Sequence, residues 1–519
     1  MIKKRFSILL FLLVWMLPLA ASSQSQSAPS PLRFRIRVHA GSTEPLSGRL
    51  IVFLSPGNKA SGELGPGFGP TARHVWFAAR EVSNLKENGV IDFDPDELAY
   101  PQPLSQAPAG DYQAMALLDE RHIYAYDPYS GIPAGTLHSP VVQIEHLNPA
   151  DALPVELTLQ ERVAVAPTPP LPPSTELVDF LSPALSNFWG RPVHMRGYVL
   201  LPPGYESHPR QRYPAVYITQ GFGGTMDSIA KYVVPRYQKF FQEKKLPAMI
   251  YIFLDQSCPE GMHEFADSAN NGPWGKALIE ELIPYLESKY RMEAKPAGRF
   301  LTGHSSGGWT SLWLMVRYPK IFGGCWATSP DPPDFRDFVG PDLRANPPVN
   351  FYRHKDGSPR MLVRMDGKEV MTLEDFVRQE RVLGEYGGQF ASFEWVFSPR
   401  GDDGRPQQLF DRDSGVIDAK VAKAWERYDI AELLRQHAST LRSLLQGKIH
   451  VIVGTADEFH LDEPVRLLES TMQELNIRSD FDYLEGRTHF NLYEGGLEEK
   501  IATQMQQVAK PAPSSSKPR

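Results

Sequence analysis

Gly303-His304-Ser305-Ser306-Gly307 stands between the apolar run Gly298-Arg299-Phe300-Leu301-Thr302 and an amphipathic stretch carrying Trp309, Leu312, Trp313, Met315 and Val316. A serine at a sharp strand-to-helix corner holds its hydroxyl exposed above a sheet. The flanking glycines are needed because a β-carbon there would meet neighbouring backbone. The helix that follows turns its first amides toward the serine and favours negative charge developing beside it. With 40 glycines in the chain, the pentapeptide alone decides little. The β-type segment before it, the helical segment after it and candidate partners in the right order downstream make it a nucleophile elbow, with Ser305 the candidate nucleophile and Gly308 opening the helix.

The segments around the elbow have one rhythm. From about residue 178, strands such as Arg196–Leu201, Tyr213–Thr219 and Pro247–Leu254 alternate with helical patterns such as Trp274–Leu286. The strands are nearly continuous in apolar residues, which implies burial on both faces, as in a parallel sheet covered by helices. This predicts a doubly wound, mainly parallel α/β unit over residues 178–509.

Upstream the rhythm differs. Residues 32–165 carry short runs such as Phe34–Val38, Leu50–Leu54, Val141–Ile144 and Val155–Leu159, divided by turn-rich spacers, and predict a β-sandwich. The stretch Ala166–Ser174 holds five prolines in nine residues, so residues 166–177 read as an extended linker. The linker implies that residues 178–509 contain the whole catalytic apparatus. Lys3, Lys4 and Arg5 precede an apolar run from Phe6 to Ala21 and then small polar residues, the pattern of a cleaved signal peptide over 1–23 and of a secreted or periplasmic protein rather than one inserted stably in a membrane. Residues 510–519 are a polar tail to which no structure is assigned.

Removal of residues 1–23 takes away three positive charges and moves the formal net charge from −7 to −10. No basic run of the kind that tracks a phosphate backbone occurs, which speaks against a nucleic-acid partner. The cysteines, Cys258 and Cys325, are read as free buried thiols. No cofactor fingerprint is completed: Gly221-Phe222-Gly223-Gly224 lacks the G-x-G-x-x-G and Walker patterns. The acidic runs at Asp402 and Asp411 are read as polar turns, because the twelfth position from Asp411 is Ala422 where an EF-hand needs glutamate, so no metal is assigned.

Tyr205, Tyr213-Pro214, Gln220-Gly221-Phe222-Gly223-Gly224, Glu281-Leu282-Ile283-Pro284-Tyr285, Gly303–Gly308 and Tyr318-Pro319 together resemble the "putative esterase" family of the α/β-hydrolase fold. That family includes enterochelin, feruloyl and acetylxylan esterases, S-formylglutathione hydrolases and mycolyltransferases. The resemblance covers roughly residues 190–330 and 447–495, and it implies fold and reaction type but no particular substrate. The β-sandwich ahead of the hydrolase is similar to the enterochelin-esterase arrangement. Many relatives carry histidine before the oxyanion glycine, where this chain has Gln220.

Asp457 follows the late strand Lys448–Gly454, at the strand edge where α/β sheets gather functional groups and at the family's spacing, and is the candidate acid ahead of Glu458 and Asp462. His489, in the loop after Arg478–Leu484, is the candidate general base, with His460 the rival; His304 is read as a packing or substrate-facing residue. The backbone amides of Phe222 and Ser306 are the candidate oxyanion donors. Residues 331–446 exceed what a bare hydrolase core requires and are read as a cap insertion. Within it Phe393, Trp395 and Phe397 alternate as a strand would, forming either the cap's own small core or a pocket wall. These readings lead to a secreted serine esterase acting on a small-molecule or glycan-linked ester. A serine peptidase of the same fold and a non-catalytic binding protein for a glycan, peptide or siderophore remain as alternatives.

Overall fold

The computed structural model describes residues 32–57, 64–165, 170–384 and 388–510. The expected signal at 1–23, part of the linker and residues 511–519 of the tail lie outside the described residues.

Two sheets form the N-terminal unit. Phe34–Val38 pairs antiparallel with Val90–Phe93 and parallel with Val155–Leu159. A larger sheet is built around the long strands Leu46–Pro56, Trp76–Leu85 and Gly110–Asp119. Successive side chains point to opposite faces, so Phe34, Ile36 and Val38 meet Leu50, Val52, Leu54, Ala116 and Leu118 in the core between the sheets. The intervening residues Ile51, Phe53, Phe77, Met115 and Leu117 face the other way. They are buried too, against Tyr124 and against Val382 and Leu383 of the second unit.

The second unit is an eight-stranded sheet: β1 (Thr175–Leu181), β2 (His194–Leu200), β3 (Ala215–Thr219), β4 (Ile250–Leu254), β5 (Arg299–His304), β6 (Gly324–Thr328), β7 (Ile449–Gly454) and β8 (Asp480–Leu484), in the order β1-β2-β4-β3-β5-β6-β7-β8. β1 and β2 are antiparallel to their neighbours, and the rest run parallel. β1 opens at Thr175, inside the stretch expected to be linker, because the chain pairs with Leu200 as soon as the prolines end. The helices that matter below are α1 (Val234–Gln242), α2 (Ile283–Lys289), α3 (Ser306–Arg317), α4 (Leu373–Leu383), α5 (Gln389–Phe397), α6 (Asp462–Glu474) and α7 (Leu497–Ala509). α2, α3 and α6 cover one face of the sheet, and α1 and α7 cover the other. The expected helix from Trp274 is present but interrupted by a π turn at Leu278–Leu282. Pro284 lacks an N–H and its ring would collide with the carbonyl four residues back, so the ladder widens there; Pro235 has the same effect ahead of α1.

Between β6 and β7 the insertion carries the hairpin Met361–Met365/Lys368–Thr372, α4, α5 and three further short helices. Phe393, Trp395 and Phe397 are not on a strand. They lie on α5, where Phe393 and Phe397 share a face four residues apart with parallel rings 5.8 Å between centroids, while Trp395 points elsewhere. α5 is apolar nearly all round because it is buried nearly all round, and such a run does not reveal its period. Cys258 and Cys325 are free.

Candidate active site

Ser305 sits between β5 and α3 with φ 58° and ψ −124°, a conformation that costs a non-glycine residue roughly 1–3 kcal/mol. The surroundings over-determine it. Its amide donates to the Thr328 carbonyl at 3.0 Å, and its carbonyl accepts from the amides of Gly308, Trp309 and Asp331 at 2.8, 3.1 and 3.1 Å. A β-carbon on Gly303 would come within 2.2 Å of the Gly307 carbonyl oxygen, and one on Gly307 within 2.4 Å of the Thr219 carbonyl oxygen. The pentapeptide is thus fixed by contact with β3 as well as by its own turn.

His489 and Asp457 come from the loops after β8 and β7. His489 Nδ1 lies 2.9 Å from Asp457 Oδ2, with the two residues 5% and 0% exposed. The amide of Phe459 donates to the other Asp457 oxygen at 3.0 Å. Burial alone would lower the imidazole pKa, but the charge and hydrogen bond of Asp457 outweigh it and hold His489 above its ordinary value. Burial likewise opposes ionisation of Asp457, and His489 overcomes it, holding the carboxyl below its ordinary range.

The rivals go elsewhere. Glu458 accepts the His489 amide at 2.5 Å and does not touch its ring nitrogens. Asp462 pairs with Arg364 at 2.9 Å, and His460 faces Glu369 at 3.3 Å. His304 lies over His489 with ring centroids 4.4 Å apart, and burial followed by the charge of His489 pushes its pKa down to about 3, so it stays neutral.

Ser305, His489 and His304 line one cavity of about 560 Å³, together with Gly221, Phe222 and Gly223 of the loop after β3. Gly221 packs closely against Ser305: a β-carbon there would lie 3.2 Å from that of Ser305. Thr219 Oγ1 donates to the Gly307 carbonyl at 2.9 Å, and Gln256 Nε2 donates to the Gln220 carbonyl, so the loop is tied to both the elbow and β4. Ser306 opens α3, where the first-turn amides have no partner within the helix. Gln220 lines a separate cavity of about 270 Å³ with Arg236 and Tyr493.

Three features of the site were not anticipated from the sequence. Asp331, 5% exposed, accepts from Ser305 Oγ at 3.2 Å, from Ser306 Oγ at 2.6 Å and from Gln389 Nε2 at 3.4 Å, and burial raises its pKa. Its signal was available, since it follows β6 at the carboxyl edge of the sheet just as Asp457 follows β7. Glu380 of α4 also lines the cavity; burial pushes its pKa up to about 8, and it accepts the amide of Phe390 at 3.1 Å. Finally, Phe68 and Ala125–Ser130 of the β-sandwich line the same cavity. The remaining wall is mostly apolar, with Phe376, Phe390 and Phe393 from the insertion, Phe459 and Phe490 beside His489, and aliphatic side chains such as Leu362 and Leu383.

The chain is similar to "Uncharacterized protein YbbA" of Bacillus subtilis (strain 168), 27% identical over 134 residues that make up 24% of this chain and 51% of that protein. It therefore spans about half the length of the curated relative it matches. Solved structures similar to it include a ferulic acid esterase, at 14% identity over 65% of this chain and 99% of that one with a TM-score of 0.40, and an S-formylglutathione hydrolase from Agrobacterium tumefaciens, at 14% identity over 64% and 95% with a TM-score of 0.39. At those scores the likenesses carry no argument. The model of the family described as "Putative esterase" matches residues 190–501, which is over half of the chain and runs from β2 through the elbow to α7. With that match and an eight-stranded, mainly parallel sheet carrying a sharp strand-to-helix turn at Ser305 after β5, the chain belongs to the "Putative esterase" family of the α/β-hydrolase fold.

Proposed function

We propose that this chain is a serine hydrolase of carboxylic esters in which Ser305 is the nucleophile, His489 the general base and Asp457 the group that orients it. The observation that carries the reading is the buried His489–Asp457 pair in the same cavity as a serine held at positive φ. In the resting arrangement Ser305 Oγ is turned to Asp331, so a rotation about its side chain precedes reaction. His489 then takes the hydroxyl proton as Ser305 Oγ attacks the ester carbonyl. The oxyanion that forms lies toward the amides of Ser306 and Phe222, and the imidazolium is stabilised by Asp457. Return of the proton to the departing alkoxide leaves an acyl-enzyme, which water activated by His489 hydrolyses. The apolar wall of Phe376, Phe390 and Phe393 suits an apolar acyl group, and the alcohol half is that of a small molecule or a glycan.

The test is covalent and kinetic together. A fluorophosphonate should label the protein once, at Ser305, and Ser305→Ala should lower turnover of p-nitrophenyl acetate by at least ~10³-fold without unfolding the chain. Turnover that survives the substitution, or an unlabelled wild-type protein, would overturn the reading.

A further inference from the structure

We propose that Tyr126 of the N-terminal β-sandwich is a positioning residue of the esterase site, setting the oxyanion loop from outside the hydrolase unit. The inference rests on the ester-hydrolase reading of that site. Tyr126 lies in the segment that joins the sandwich strand Gly110–Asp119 to the short strand Leu137–His138. That segment is anchored at its start, where Asp119 Oδ2 accepts the Tyr124 amide at 2.7 Å and the Tyr124 ring packs edge-on against Phe53. From there it crosses to the loop after β3. The Tyr126 hydroxyl donates to the Gly224 carbonyl at 2.8 Å, and its ring stands edge-on to Phe222 with centroids 4.8 Å apart.

Phe222 is consequently held from two sides. Gly221 before it touches Ser305, and the turn closes with the Gly224 amide donating to the Gly221 carbonyl at 3.1 Å. On the other side, Tyr126 grips the ring of Phe222 and the carbonyl that ends the turn. An oxyanion donor is useful only when its N–H is aimed before the charge appears, because reorienting a peptide group during reaction adds to the barrier. Tyr126 restrains that peptide through a hydroxyl that burial holds further still from ionisation.

The contact belongs to a built interface. Arg49 of the sandwich, 3% exposed, donates through Nε to the Val382 carbonyl at 2.9 Å and through Nη2 to the Arg381 carbonyl at 2.8 Å, capping the C-terminal end of α4. Gln379 Nε2 of α4 donates back to the Gly67 carbonyl at 3.0 Å. Residues 178–509 hold Ser305, His489 and Asp457, and the sandwich adds a contact to the loop that carries Phe222.

The experiment uses the full-length chain and three proteins: wild type, Tyr126→Phe, which removes only the hydroxyl, and Arg73→Ala, which removes the ion pair between exposed Arg73 and buried Asp375, in the same interface but outside the cavity lining. With p-nitrophenyl acetate, Tyr126→Phe should lower kcat by about 10- to 100-fold, in line with the cost of loosening one oxyanion donor, while KM stays within about twofold. Its affinity for a trifluoromethyl ketone, which forms a tetrahedral oxyanion on the serine, should fall in parallel, and its thermal midpoint should match that of Arg73→Ala. Arg73→Ala should keep wild-type kcat. An unchanged kcat in Tyr126→Phe, a change in KM alone, or an equal loss in Arg73→Ala overturns the positioning role. Failure of the wild type to hydrolyse esters or take up a fluorophosphonate would instead strike the underlying reading, so the two failures are told apart.

Discussion

His489 sets the pH behaviour of the site, and the direction can be worked out from its neighbours. The general base must be neutral to accept the Ser305 proton, so activity rises with pH through the His489 pKa. Asp457, Glu458 and Asp331 surround the ring with acidic groups, the neutral His304 ring lies tilted against it, and the net effect holds the imidazole above its ordinary 6.5. The acid limb of kcat/KM should therefore lie above pH 6.5. Asp331 is one of the charges holding it there, so Asp331→Asn should move the limb to lower pH while freeing Ser305 from its resting partner. A pH profile of the variant that overlays the wild type would remove Asp331 from the electrostatics of the base. Asp457 and His489 are singled out by strand order together with the spacing that the family resemblance implies, ahead of Glu458, Asp462 and His460 in the same loops. Asp331 satisfies the same positional rule and was passed over because its role depends on burial against two serines, which no local pattern displays.

At the scale of elements, the parts of the fold that are legible in the sequence are those with explicit breakers or with short, continuous apolar runs bounded by turn residues. The alternation of β5 and α3 around two obligatory glycines is of this kind, and so are the parallel strands with continuous apolar runs. α5 was read as a strand because Phe393-Glu394-Trp395-Val396-Phe397 alternates bulky rings with other residues. The helix is imposed by tertiary burial, including the burial of Glu394 in an ion pair with Arg412 at 2.7 Å. Placing Phe393 on a helix gives it two roles, since its ring stacks on Phe397 and also lines the cavity. Phe393→Ala should therefore cost about 3 kcal/mol of stability, as truncation of a buried phenylalanine does, and open the chamber on that side. The measurement is the ratio of kcat/KM for p-nitrophenyl octanoate to that for p-nitrophenyl acetate, which should rise severalfold against wild type. A ratio that stays fixed would mean that the acyl chain runs along another wall.

For the whole molecule, the deciding feature is that the β-sandwich buries both faces of its larger sheet. Leu50-Ile51-Val52-Phe53-Leu54 is five apolar residues without a break, whereas a sheet with one wet face alternates. That run was the trace of docking in the sequence, masked by a proline-rich stretch that suggests independence. Arg49, next to the run, converts the apolar contact into a specific one by ending α4 with two hydrogen bonds while its Nη1 pairs with Glu81 at 2.8 Å. Glu81 is half in solvent and its pairing contributes little, so the cost of losing Arg49 lies mainly in the two carbonyls of Arg381 and Val382 left without their donor. Arg49→Met keeps the stem's packing and removes the donors, and should lower unfolding stability by about 2–3 kcal/mol. Because α4 also carries Glu380 and Leu383 into the cavity wall, the same variant should bind bulky acyl substrates more weakly, seen as a raised KM for p-nitrophenyl octanoate with little change for the acetate. If chemical denaturation of Arg49→Met matched wild type with both KM values unmoved, the sandwich would rest on the hydrolase through apolar contact alone, and α4 would not depend on it for its place in the wall.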